Sequence, residues 1–332
     1  MGDLSSDHRL YNQVVHEIHI ANKMRDHGEV SDEVIAEAIA YLHHDGILVL
    51  ANAINPSHLD DLEAVLGPEA EEIAKDPQHH FNFGRQVYSQ YGSGSTADHR
   101  AHVQGLLRGL LSTALALTVA KGRLGESDRG GHPACDVRLV RLPLCECRQP
   151  VHSDIDKPRP LWPFAFAFNI PLCDMSVENG STELWIGSHK DSNIDQHCTF
   201  AGGETGLVIK PELLEERRQH SPPIQPSTKK GSLIIRDIRL WHAGMPNRTN
   251  IPRIMLAFVY QPRWFQAPSR VILPLRAKRL VEQWEAETGV EFQATWVDGV
   301  VDHKTINSEE VDFSTRSKAL RELEEMMHLP AH

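Results

Sequence analysis

The spacing of apolar residues changes part-way along the chain, and the change separates a largely helical part from a largely stranded one. In the first hundred residues Ser31-Asp32-Glu33 opens a helical stretch through Leu42, with Ser31 suited to N-cap and acids in the first turn. Asp45-Gly46 stops it and leads into an apolar strand over residues 47–50. Pro56-Ser57 begins a second amphipathic helix over residues 59–75, in which Leu59, Leu62, Val65 and Leu66 share one face. Residues 88–97 are polar and rich in Gly and Ser, which predicts a loop able to act as a lid. Leu106, Leu107, Leu110, Leu111, Leu115 and Leu117 predict a helix over residues 101–120. From Asp136 onward the period moves toward two: residues 137–142 alternate imperfectly, Phe164, Phe166 and Phe168 alternate with Ala, and residues 233–235 and 254–260 are apolar runs. Turn residues separate them at Pro158-Arg159-Pro160, Glu178-Asn179-Gly180, Gly202-Gly203, Ser221-Pro222-Pro223 and Lys229-Lys230-Gly231. The fold class that follows is mainly β with flanking helices (α+β), the second half a many-stranded sandwich or barrel. The charged tail beyond Ser308 predicts one last surface helix over residues 318–328.

Composition narrows the classes of function. Hydrophobic residues make up 40 % of the 332, and 22 glycines bring the apolar share into the globular range of roughly 45–50 %. A formal charge of −11 repels phosphate backbones and anionic lipid, so neither nucleic acid nor a membrane surface is an expected partner. No apolar run approaches the roughly 20 residues needed to span a bilayer. The polar start over residues 1–9 carries no apolar leader, and five cysteines suit a reducing compartment, so the expected location is cytoplasmic. Arg9-Leu10 followed by His16 comes near an N-terminal peroxisomal address, but Glu17 stands where an apolar residue is expected.

With 20 histidines, position and context decide which can carry chemistry. His152-Ser153-Asp154 lies where the β pattern is established, and residues i and i+2 of a strand project to the same face, so one imidazole and one carboxylate converge. His242 follows 90 residues later, in Arg239-Leu240-Trp241-His242-Ala243-Gly244. Two histidines and a carboxylate make the facial triad that leaves three open positions on Fe(II), enough to chelate a keto-acid through two atoms and still admit O2. Arg253, 11 residues beyond His242, suits the far carboxylate of such a keto-acid because its fork pairs bidentately. Asp156 competes with Asp154 for the carboxylate position. Cys145 and Cys147 lack the spacing of a zinc knuckle and read as strand thiols. Trp162, Phe164, Phe166 and Phe168 read as core on one strand face, with pocket lining the alternative. Arg141, Arg148, Lys157 and Arg159 bracket the metal motif as candidate contacts for an acidic substrate or as solvated charges.

His-x-Asp, a distal His and an Arg eleven residues later resemble the phytanoyl-CoA dioxygenase family of Fe(II)/2-oxoglutarate oxygenases, particularly its fungal biosynthetic members. The segment from Glu178-Asn179-Gly180 through Ile186-Gly187-Ser188-His189 resembles the family's Asn-Gly to Pro-Gly-Ser-His stretch. Arg239 through Met245-Pro246-Asn247 resembles its segment around the distal histidine. The likeness covers roughly residues 40–265 and implies a double-stranded β-helix, a cupin-like jelly-roll core, with domains of 1–30 (N-terminal extension), 31–270 (dioxygenase jelly roll with a helical N-terminal part) and 271–332 (C-terminal extension, partly helical). By that likeness His152, Asp154 and His242 ligate iron and form the catalytic set, and Arg253 binds the C5 carboxylate of 2-oxoglutarate. Gln149 and Thr182 match positions that contact this co-substrate. Ile186 replaces the frequent proline, and Met255 stands near the arginine where relatives carry Ser.

The activity implied is Fe(II)/2-oxoglutarate-dependent dioxygenation, using O2 to oxidise an unactivated C–H bond of a small specialised metabolite by hydroxylation, desaturation or ring formation, with release of succinate and CO2. Retention of Asp154 argues against a halogenase. Lipid-acyl hydroxylation, a non-oxygenase metal enzyme and a binding scaffold are the alternatives. The expected partner is a small-molecule substrate, and the N-terminal half and charged tail offer surfaces for a homodimer.

Overall fold

A computed structural model describes residues 14–28, 30–75, 87–89, 134–142, 148–157, 159–190, 192–199, 205–249, 251–261, 265, 270–288 and 290–299. The expected helices over residues 101–120 and 318–328, and the pair Cys145 and Cys147, lie outside them.

Strand β1 (Glu17–His19) and the short helix α1 (Asn22–His27) precede α2 (Asp32–Asp45). The expected punctuation sets the limits of α2: Ser31 Oγ accepts from the Val34 N–H, and Gly46 takes the left-handed conformation at φ +77° while its N–H closes on Leu42 O. The chain then enters β2 (Ile47–Ala51), and α3 (Pro56–Lys75) follows as the leucine spacing requires. Strands β3 (Val87–Ser89) and β4 (Ala134–Leu142) pair with each other. Tyr88 and Ser89, expected in a loop, are therefore in a strand, since β4 supplies backbone partners across from them that no local pattern announces.

The remaining elements are β5 (Phe166–Pro171), β6 (Glu183–Leu184), β7 (His197–Thr199), β8 (Thr205–Ile209), α4 (Pro211–His220), β9 (Leu233–Asp237), β10 (His242–Ala243), β11 (Arg253–Gln261), β12 (Val271–Pro274), α5 (Lys278–Thr288) and β13 (Ala294–Val297). The main sheet runs β1-β2-β9-β5-β11-β4-β3, antiparallel except for the β1–β2 edge. Strands β2, β5, β9 and β11 are buried at every position, so both faces are covered and their sequences read as runs rather than alternations. One face presents Leu48, Leu50, Phe166, Phe168, Ile235, Leu256 and Phe258 to Leu42 of α2, to Leu59, Leu62 and Leu66 of α3 and to Trp284 of α5. The alternate positions Ile47, Val49, Ile234 and Met255 face the other way, against Met175, Leu184 and Ile186. Phe164 departs from the expected row: it precedes β5 and stacks on Phe265, with ring centroids 4.5 Å apart, in a separate cluster.

Opposite that second face lies a broken layer. The β7–β8 hairpin connects through the bridge Val208–His152, then His152–His242, then the β10–β6 pair, then Leu184–Ile224. The space between the layers is where the site residues meet.

Candidate active site

His152 and His242 are cross-strand neighbours. Each donates its backbone N–H to the other's carbonyl at 2.9 Å, the doubly bonded antiparallel pair that places two side chains together on one face. Their ring centroids are 4.3 Å apart. Asp154, two residues beyond His152, returns to the same face, and its backbone N–H is fixed on Ile238 O at 2.9 Å. The ligand atoms of His152, Asp154 and His242 lie within 4.8 Å of one another.

The protons are distributed as a metal requires. His152 Nδ1 lies 2.9 Å from Pro150 O and His242 Nδ1 3.0 Å from Leu240 O. A carbonyl only accepts, so each Nδ1 carries a hydrogen and Nε2 is the nitrogen of each ring left to face a metal. Burial, reinforced by the neighbouring His242, pushes His152 down to about 3, so it is neutral near pH 7. For Asp154 burial pulls upward, but the Arg236 guanidinium and then His242 overcome it and hold the carboxyl well below its usual range. Two imidazole Nε2 atoms and one carboxylate oxygen fit Fe(II) or another divalent first-row ion. Asp156 stands outside the group, beside Lys157 at 3.9 Å.

Residues 143–255 match the sequence model of the phytanoyl-CoA dioxygenase (PhyH) family. The chain also aligns at low identity with solved structures. EctD from S. alaskensis, solved with 2-oxoglutarate and 5-hydroxyectoine, is 20 % identical over 71 % of this chain and 79 % of its own, at TM-score 0.46. AviO1 from Streptomyces viridochromogenes Tue57 is 17 % identical over 70 % of this chain and 96 % of its own, at 0.43. EvdO2 from Micromonospora carbonacea var. aurantiaca, complexed with 2-oxoglutarate, is 15 % identical over 70 % and 92 %, at 0.47.

The PhyH match spans all of the remaining candidates. Arg253 opens β11 with 2 % of its surface exposed, its Nη1 3.2 Å from Met175 Sδ and 4.0 Å from Met255 Sδ. These two methionines line a pocket between the layers, together with Val15, Asn169, Thr182 and Arg236, that is partly open to solvent. Thr182 is thus a pocket wall. Gln149 is held elsewhere: its Oε1 accepts from Gly244 N at 2.6 Å and its own N–H bonds Gly244 O, which ties the start of the His152 segment to the turn after β10.

The Gly187-Ser188-His189 motif buttresses β10 from behind. Ser188 Oγ accepts from Trp241 N at 2.8 Å, Gly187 N donates to Asp45 O, and His189 packs its ring on Gly46 and bonds His43 O at 3.3 Å. Asn247 closes the following turn through Thr249 and Ile251. Of the basic residues bracketing the metal motif, Arg148 pairs with Glu183, with Nε 3.3 Å from Oε2, and Lys157 is exposed. Arg159 is 5 % exposed and grips Ile155 O, Ser192 Oγ and Asn193 O, so it fastens the metal loop rather than meeting solvent.

Sequence reasoning missed two features. Ser153, which points away from the metal face between two candidate ligands, meets a buried imidazole: His197 Nδ1 donates to Gly206 O at 2.7 Å, and its Nε2 lies 3.2 Å from Ser153 Oγ and 3.0 Å from Arg159 Nη2. The second is Arg236, whose Nη2 lies 2.6 Å from Asp154 Oδ2. Its only local trace was a cation directly after the apolar run Leu233-Ile234-Ile235, which marks a charge in need of a partner without naming that partner.

Proposed function

We propose that the chain is an Fe(II)- and 2-oxoglutarate-dependent dioxygenase that oxidises an unactivated C–H bond of a small specialised metabolite, with release of succinate and CO2. The observation that carries this reading is the convergence of two imidazoles and one ionised carboxylate beside a pocket whose methionine walls are backed by a buried arginine. The main sheet and the broken layer opposite it are then the two sides of a double-stranded β-helix. When bound, the iron supplies the coupling of O2 reduction to decarboxylation of the keto-acid.

The protein's residues do the rest. His152 and His242 are held with Nε2 inward by their backbone carbonyls, and Asp154 contributes the compensating negative charge. Arg253 takes the distal carboxylate of the co-substrate, reached past Met175 and Met255, with its charge undiluted by water at that depth. Thr182 offers a hydroxyl from the pocket wall, and Gln149 keeps the two ligand segments in register. The lining of Ile47, Val49, Ile234 and Leu184 gives the keto-acid an apolar wall on this side.

Anaerobic titration with Fe(II) and 2-oxoglutarate tests the reading. A weak visible charge-transfer band is expected, abolished in His242→Ala and requiring at least tenfold more 2-oxoglutarate in Arg253→Ala. Succinate release is then screened across small metabolites and acyl-CoA thioesters, which separates metabolite oxidation from acyl hydroxylation. A folded, iron-loaded chain that shows no band sinks the proposal.

A further inference from the structure

Arg236 is the buried charge near the site that no motif accounts for. Strand alternation turns it, like Ile234 two residues earlier, toward the space between the layers, where 7 % of its surface is exposed. Its Nη2 holds Asp154 Oδ2 at 2.6 Å, while the other oxygen, Oδ1, lies 3.5 Å from His242 Nε2. The carboxylate is thus divided: one oxygen belongs to the guanidinium and the other faces His242. Arg236 Nη1 also approaches His242 Nδ1 at 3.3 Å, but that nitrogen already gives its hydrogen to Leu240 O, so the contact fixes no further bond. The hold on Asp154 is therefore the work that this side chain does at the site.

We propose that Arg236 is a positioning residue that restricts Asp154 to ligation through Oδ1 alone, so that a divalent metal on His152, Asp154 and His242 keeps three neighbouring positions open. The inference rests on the metal-site part of the proposed function and adds how the site controls its own vacancy. A carboxylate is free to ligate through one oxygen or two, and the second mode consumes a position. A charge-assisted bond at 2.6 Å withdraws Oδ2 from that choice. Three open positions accept a two-atom chelator and one further small ligand together; two do not.

The test uses the full chain loaded with Mn(II) alone, with the waters on the ion counted by solvent proton relaxation. Three are expected in the wild type and two in Arg236→Met, where the apolar side chain releases Oδ2 to the metal. Arg236→Lys, which keeps one donor within reach of Oδ2, is expected to restore three. An unchanged count in a folded Arg236→Met overturns the proposal. If that variant does not fold, the infrared carboxylate difference spectrum of the wild type on adding Mn(II) decides: widely separated asymmetric and symmetric stretches mark one-oxygen ligation, and a narrow separation overturns it. A wild-type chain that takes up no Mn(II) overturns it with its premise. No readout involves 2-oxoglutarate, so a missing charge-transfer band sinks the oxygenase reading alone.

Discussion

At the scale of single residues, the buried polar groups carry the sharpest expectations. His197 serves as an acceptor for Arg159 and so must stay neutral; burial, and then the Arg159 charge, push it down to about 4 from an ordinary value of 6.5. Between those values the unfolded chain binds the proton and the native one does not, so the stabilisation is complete above pH 6.5 and is lost as pH falls toward 4. A shift of this size is worth about 3 kcal/mol. Urea unfolding at pH 7.5, 6 and 5 should show stability declining with acid, less steeply in His197→Gln; equal slopes would remove His197 as a cause. Asp237 and Arg239, whose side chains are each 1 % exposed, form a two-pronged pair with Nε to Oδ1 at 2.9 Å and Nη2 to Oδ2 at 2.7 Å, which shapes the turn into His242. Asp237→Asn leaves a buried guanidinium without its countercharge and should cost about 3–5 kcal/mol in chemical denaturation. A loss under 1 kcal/mol would mean that water replaces the carboxylate.

Among the elements, the junction of α2 and β2 is the most constrained. Gly46 sits at φ +77°, its carbonyl receives Asp237 N, and a Cβ added to it would meet His189 Nδ1 at 2.4 Å. Gly46→Ala should lose about 1–2 kcal/mol to the left-handed backbone alone, and more to the overlap with His189. A double-mutant cycle with His189→Ala should return the second part and leave the first; strict additivity would refute the overlap. This junction also shows what was legible in the sequence. Ser31, Gly46 and the leucine spacing of α3 act locally, and the structure follows them. Helix α4 escaped notice because none of its residues is buried, although Pro211 at its start and Arg217, Arg218 and His220 in its last turn are end signals that need no apolar face. Strand β3 left no such signal, because its partner lies far along the chain. Of the three residues that the structure brings together, His152 and Asp154 were legible from their i, i+2 spacing and His242 as a histidine just after an apolar run. Arg236 was not, since pairing across 82 residues depends on sheet order rather than on any motif.

On the scale of the whole molecule, the N-terminal segment is part of the working fold. Strand β1 is the parallel edge partner of β2, and Val15 just before it lines the pocket. Removing residues 1–20 should bare the β2 edge and open one pocket wall, giving larger species in light scattering and weaker 2-oxoglutarate binding. A monodisperse truncation with unchanged affinity would assign β1 no such role. The doubly bonded bridge between His152 and His242 has a wider consequence. Its two residues are separated by 90 positions, so the pair of imidazoles comes into being only when the second layer closes. An ion gripped there acts as a clasp on a long loop, recognising the folded chain and ignoring the unfolded one. Tight metal binding and resistance to unfolding then become one quantity read from two ends, and each tenfold excess of free metal over its dissociation constant should deepen the native state by about 1.4 kcal/mol.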